Sequence, residues 1–205
     1  MSTRRYEQKA RAEEAEKTRQ RVIDAVFERL RAAPSEPVSV ERIAAMAGVA
    51  RSTVYAIFGS RAGLFDAVAE ELRERHGFDR LAGTSFRPDP RDAFRDGMRA
   101  ATAMLAGDRD IYRALHSMAQ LDQEAVGTAV QRAEQNRAEA MGRIARGLDE
   151  QGELLPGVDA EEAAHVLWVL TSFESFDLLY TGRGLALDAI IELLTATAER
   201  ALMTP

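Results

Sequence analysis

With 205 residues, the chain can bury a substantial core as one compact domain or as a small domain joined to a larger one. It has no cysteine, so disulfides are excluded and a cytoplasmic location is expected; its charged first residues lack the apolar region of a signal peptide, and no run of about 18 apolar residues could span a membrane. The net charge of −6 argues against a nucleic-acid partner until it is divided: residues 1–61 carry 12 Lys and Arg against 8 Asp and Glu, net +4, and residues 62–205 carry 15 against 25, net −10. A basic head on an acidic body points to an anionic partner for the head alone. Splits of this size also arise by ordinary fluctuation.

Ala, Leu, Arg and Glu dominate and no alternating apolar run stands out, so the chain reads as all-α. The first 17 residues form a charged extension, a frayed arm or a helical continuation. Val22, Ile23, Val26, Phe27 and Leu30 then mark one face of a helix over 18–32, ended by Pro34 and Pro37. Ser39 is placed to cap a short helix over 40–47, with Val40, Ile43, Ala44 and Ala47 as its apolar side, and Gly48 follows where a tight turn needs a positive φ. A second short helix is expected over 51–58, stopped by Gly59-Ser60, and a longer one over 61–76 carries Leu64, Phe65, Val68 and Leu72. Gly63, early in that helix, costs helix propensity.

Phe78 to Pro90 reads as the link to a second region, and Asp89-Pro90 opens the next helix in the expected order of cap and first-turn proline. Helices follow over 90–106, 109–119 and 122–151; Asp159 then caps one long helix over 160–181, and a last helix covers 186–203. The resulting division is a 1–17 extension, an 18–76 head with its connecting helix, and a 77–205 helical region.

A helix, a glycine turn and a short helix make the spacing of a helix-turn-helix, whose second helix enters the major groove by its N-terminal residues. Ile43, Ala44, Ala47, Val49, Val54 and Phe58 can form the small core that fixes the two helices. The remaining face offers Ala50, Arg51, Ser52, Thr53, Tyr55 and Ala56, with Ser39 at the front of the first helix and Ser60 and Arg61 opening the next. Arg51 suits guanine edges or a phosphate, Ser52 and Thr53 suit either, and Tyr55, Ser60 and Arg61 suit phosphates. An αα corner with a glycine turn also occurs in proteins that never touch DNA.

Residues 18–70, from "TRQRVIDAVFERL" to "VSVERIAAMAGVARSTVYAIFGSRAGLFDAVAE", closely resemble the DNA-binding domain of the TetR family of bacterial transcription regulators. The family's recognition helix and the start of its fourth helix correspond to Val49, Ala50, Arg51, Ser52, Thr53, Val54, Tyr55, Phe58, Ser60, Arg61 and Leu64. The resemblance covers about a quarter of the chain. Ala50 departs from the usual Ser and leaves the helix without a side-chain cap; Arg61 replaces the usual Lys and keeps its charge. Ala56 and Ile57 stand where the family often has aromatic residues or His. The resemblance implies an N-terminal three-helix helix-turn-helix domain joined to a larger helical domain that binds an effector and dimerises, about nine helices in all.

In the larger region, the helix over 160–181 is apolar nearly all round, so it must be covered on several sides. It could be covered within one chain together with helix 186–203, or both could meet a second copy; the resemblance favours a homodimer, with Thr195, Ala196 and Ala198 permitting close approach. Phe94, Met98, Met104, Tyr112, His116, Met118, Trp168, Phe173 and Tyr180 are candidates to line an effector pocket, or are simply core. Glu174 and Asp177 read as pocket acids, as cross-links of the dimer through Arg183 or Arg143, or as solvated residues.

Catalysis is not expected: His165 and Glu174 lie nine residues apart, which is not a Glu-x-x-His metal pair, and neither a phosphate-cradling loop nor a Ser or Cys nucleophile motif occurs. No cofactor or metal is implied. The expected function is that of a repressor released from a pseudo-palindromic DNA operator by a small-molecule effector, with an activator or a protein-protein adaptor as the alternative. Coupling is expected to run through helix 61–76 to its Gly77 end.

Overall fold

The computed structural model describes residues 2–34, 36–75 and 89–204. Among these residues ten α-helices succeed one another: α1 (Ser2–Ala32), α2 (Val40–Ala47), α3 (Arg51–Phe58), α4 (Arg61–Arg75), α5 (Pro90–Gly107), α6 (Arg109–Leu121), α7 (Thr128–Glu150), α8 (Ala160–Leu170), α9 (Phe173–Asp177) and α10 (Leu187–Leu202). Wide π-type turns occupy Gln123–Gly127 and Leu178–Gly182. Among the described residues, extended pairing is confined to an isolated antiparallel bridge between Leu154 and Met203, and no helix is long and apolar enough to cross a membrane. The all-α reading therefore stands.

The chain forms two compact units, one of residues 1–71 with 113–130 and the other of residues 72–112 with 131–205. In the first, Val22, Ile23, Val26, Phe27 and Leu30 of α1 are buried, as are Ile43, Ala44 and Ala47 of α2, Val54 of α3, and Leu64, Phe65 and Val68 of α4. Each large apolar side chain buried in this way contributes roughly 1.5–3 kcal/mol. The α1–α2 connection is held by Arg29, which is 2% exposed and donates to Ala33 O at 2.6 Å and to the Glu36 carboxylate at 2.8 Å. These bonds offset the charge burial and fix the approach to α2. Ser39 Oγ accepts from Arg42 N at 3.2 Å, as a helix cap should.

The second unit has its core in Phe94, Met98 and Leu105 of α5, Met141 and Leu148 of α7, Leu167 of α8, Phe173 and Phe176 of α9, and Ile190, Leu194 and Leu202 of α10. Its chain end is tied down by Arg91, which pairs with Glu153 at 2.7 Å and also donates to the carbonyl of Thr204.

Of the two readings of the charged extension, the helical one holds, since α1 is continuous from Ser2. Three other sequence expectations change. The helix expected over 122–151 starts later, at Thr128, after a wide turn that Asp122 caps through Ala125 N at 3.2 Å. The single helix over 160–181 is interrupted, because Thr171 turns its hydroxyl back to Leu167 O at 2.7 Å and Ser172 opens α9 by accepting from Ser175 N at 3.1 Å. Gly63 is not simply a propensity cost, since a Cβ built there would collide with the backbone carbonyl of Phe58. The link expected from Phe78, the helix end at His76 and the Gly77 coupling point lie outside the described residues; Asp89 does cap α5, accepting from Arg91 N at 2.8 Å.

Candidate nucleic-acid interface

The α2–α3 corner is built by a single residue in the left-handed region. Gly48 has φ 66°, and Val49 N donates to Ala44 O at 2.9 Å, which closes the end of α2 and turns the chain into α3. Ala50 then sits extended at φ −73°, ψ 149°, and with no side-chain cap it contributes only its carbonyl, which accepts from Thr53 N at 2.9 Å. Ala50→Ser should therefore stabilise the head by about 1 kcal/mol, a gain that a thermal melt against wild type would reveal.

Burial of Val54 rotates the rest of α3 outward. Arg51, Ser52 and Ala56 are exposed, Thr53 and Tyr55 half-buried, and Val49 and Phe58 close the corner only partly buried. Ser39, Ala50 and Ser60 are exposed as well. Ser60 does more than present a hydroxyl: its Oγ accepts from Gly63 N at 3.0 Å and so opens α4.

Two of the expected cations are already engaged. Arg51 Nη1 lies 2.6 Å from the Glu41 carboxylate, Nη2 donates to the Tyr55 hydroxyl at 3.3 Å, and its guanidinium lies 5.4 Å from the Tyr55 ring centre. Tyr55 and then Glu41 raise its already high pKa, so it is cationic at any working pH. Arg61 is half-buried; it donates through Nε to Val38 O at 3.2 Å, pairs through Nη1 with the Asp122 carboxylate, and lies 5.3 Å from the Phe65 ring centre. Neither Glu41 nor Asp122 stands out in sequence. The signal for Glu41 is a carboxylate in the first turn of the helix before Arg51; Asp122 has none, being 61 residues from its partner.

The residues offered for an effector pocket are divided between the two units. Phe94, Met98 and Phe173 belong to the core of the second unit, with Met104 and Tyr112 packed against it, whereas His116 and Met118 belong to the first unit. Tyr112 stacks on Phe173 at 5.8 Å between ring centres, and burial, followed by the charges of Asp108 and Glu134, pushes its phenol above its usual pKa. Trp168 is at the surface with the Arg137 guanidinium 5.0 Å from its ring centre, and Tyr180 is also exposed. Asp177 is held by Arg109 at 2.9 Å and by the Thr181 hydroxyl at 2.8 Å, and Glu174 is exposed.

Comparison with known proteins adds three observations. Residues 23–68 match the profile of the family described as bacterial regulatory proteins, tetR family. Among solved structures, NalD, the secondary repressor of the MexAB-OprM multidrug efflux pump in Pseudomonas aeruginosa, is 25% identical with a TM-score of 0.69, over 93% of this chain and 98% of that one. A TetR-family transcriptional regulator from Pectobacterium atrosepticum is 22% identical with a TM-score of 0.64, over 94% and 97%, and a TetR-like regulator from Rhodococcus sp. RHA1 is 21% identical with a TM-score of 0.61, over 89% and 94%. No curated protein matched the chain in a sequence search.

Proposed function

Because the chain belongs to the tetR family of bacterial regulatory proteins, we propose that it is a transcriptional repressor whose homodimer binds a pseudo-palindromic operator and is released by a small molecule. The observation that carries this reading is the α2–α3 corner, whose apolar sides are used internally while Arg51, Ser52 and Ala56 face outward with Ser39 and Ser60 nearby. Such a corner reads DNA only as one of a pair, because two recognition helices must reach major grooves about 34–36 Å apart.

The second copy has a surface to meet. Along α8, the turn after α9 and α10, Val169 is 53% exposed, Leu178 69%, Leu193 42% and Trp168 38%, large apolar side chains that a second copy would cover. The effector belongs with the second unit, where Phe94, Met98, Met104, Tyr112 and Phe173 supply apolar and aromatic walls. It must bind one of two head spacings better than the other, since equal affinity shifts nothing.

Selection from a random DNA library at several salt concentrations tests the function. Enrichment of two related half-sites about 10 base pairs apart, centre to centre, supports it, and recovery of no sequence overturns it. Val169→Asp combined with Leu193→Asp should yield a monomer by sedimentation and weaken operator binding at least 100-fold, because the second head no longer binds at high effective concentration. An unchanged dimer would place the interface elsewhere.

A further inference from the structure

We propose that Glu41 is a positioning residue of the reading head, one that commits Arg51 to a guanine edge and withholds it from the phosphate backbone. The inference rests on the DNA-binding reading above and deepens it.

Glu41 lies in the first turn of α2, where its backbone is set by the Ser39 cap and the burial of Val40 on one side and of Ile43 on the other. Its carboxylate meets Arg51 Nη1 at 2.6 Å, while Tyr55 takes Nη2 at 3.3 Å and presents its ring 5.4 Å from the guanidinium. The guanidinium is thus held by a carboxylate from one helix and a phenol one turn further along its own. Both partners of the ion pair stay more than half exposed, 57% for Arg51 and 60% for Glu41, so the pair adds little to fold stability. Its consequence lies in what Arg51 can do.

A guanidinium has five N–H groups, and with one given to Glu41 and one to Tyr55 enough remain for the two-pronged contact with O6 and N7 of guanine. Holding the group beforehand removes the ordering cost of a free arginine. The neighbouring carboxylate also cancels most of the local charge. A phosphate approaching Arg51 approaches Glu41 as well and gains little, whereas a guanine edge carries no net charge and is penalised much less. Glu41 therefore raises discrimination and lowers binding to arbitrary DNA.

The test compares the full chain with Glu41→Ala, Glu41→Gln, Arg51→Ala and the double variant Glu41→Ala/Arg51→Ala, thermal melts serving as the control for folding. Site selection is followed by anisotropy titrations on the selected operator, on its single-base substitutions and on random DNA across a salt series. Arg51→Ala should flatten the preference for guanine at one half-site position by about tenfold or more. Both Glu41 variants should flatten that same position by about three- to tenfold while tightening binding to random DNA, with a salt slope steeper by about one per head. Adding Glu41→Ala to Arg51→Ala should change that position no further.

Three results overturn the proposal: Glu41 variants that keep the wild-type base preference and salt slope; Glu41 variants that relax a different position, which would make Glu41 a base reader itself; or Arg51→Ala weakening all sequences alike, which would make Arg51 a phosphate contact. All three leave the DNA-binding function standing. A wild-type chain that selects no sequence removes that function and this proposal together.

Discussion

Gly63→Ala is expected to destabilise the reading head by about 2–3 kcal/mol, although alanine is the better helix former by about 1 kcal/mol. The reason is the tight passage from α3 to α4. Gly59 turns the chain at φ 74°, and the third residue of α4 then passes so close to the end of α3 that a Cβ would overlap the Phe58 carbonyl oxygen and sit 3.3 Å from its carbon. That carbonyl already accepts from Ser60 N at 2.8 Å, so it cannot turn aside without losing the bond. Gly97, in the middle of α5, is the matched control: nothing described lies within 4 Å of a Cβ built there, and Gly97→Ala should stabilise by up to about 1 kcal/mol. Thermal melts of both variants decide the matter, and a Gly63→Ala protein melting at or above wild type would refute the close passage.

Asp122→Asn is expected to tighten binding to random DNA about tenfold at low salt and to steepen the salt slope by about one per head. Asp122 has two tasks: one carboxylate oxygen accepts from Ala125 N and the other pairs with Arg61. Asparagine keeps an acceptor for the first task and removes the charge from the second, so the wide turn is retained. Arg61, still steadied by Val38 O and the Phe65 ring, is then released to a phosphate. The half-buried ion pair is lost at a cost of about 1 kcal/mol, too little to unfold the head. Adding Arg61→Ala should abolish the gain. Equal salt slopes for wild type and Asp122→Asn would mean that Arg61 meets no phosphate even when freed.

What could be read from sequence was what local chemistry writes. Ser39, Asp89 and Asp159 cap helices because a short acceptor side chain before an apolar period is a local signal, and Gly48 turns because only glycine adopts its φ cheaply. The break at Thr171-Ser172 escaped because the apolar run continues across it without proline or glycine, while two hydroxyls redirect the backbone. The helical continuation of α1 to Ser2 carries no apolar period, and i to i+4 pairs such as Lys9 with Glu13 are all that marks it. At the candidate interface, Arg51 and Arg61 were legible as residues but their carboxylate partners were not, since each is brought in by tertiary packing, Glu41 from α2 and Asp122 from the turn after α6.

The return of residues 113–130 to the first unit means that the reading head is not one uninterrupted stretch of gene. A fragment ending at Arg75 would discard Leu115, Met118 and Val126, buried members of that unit, and would leave Arg61 without Asp122. A hybrid regulator that borrowed this head as a cassette would inherit its base-reading surface but not the carboxylate that restrains Arg61. Specificity in this architecture is exchanged cleanly only when both stretches travel together.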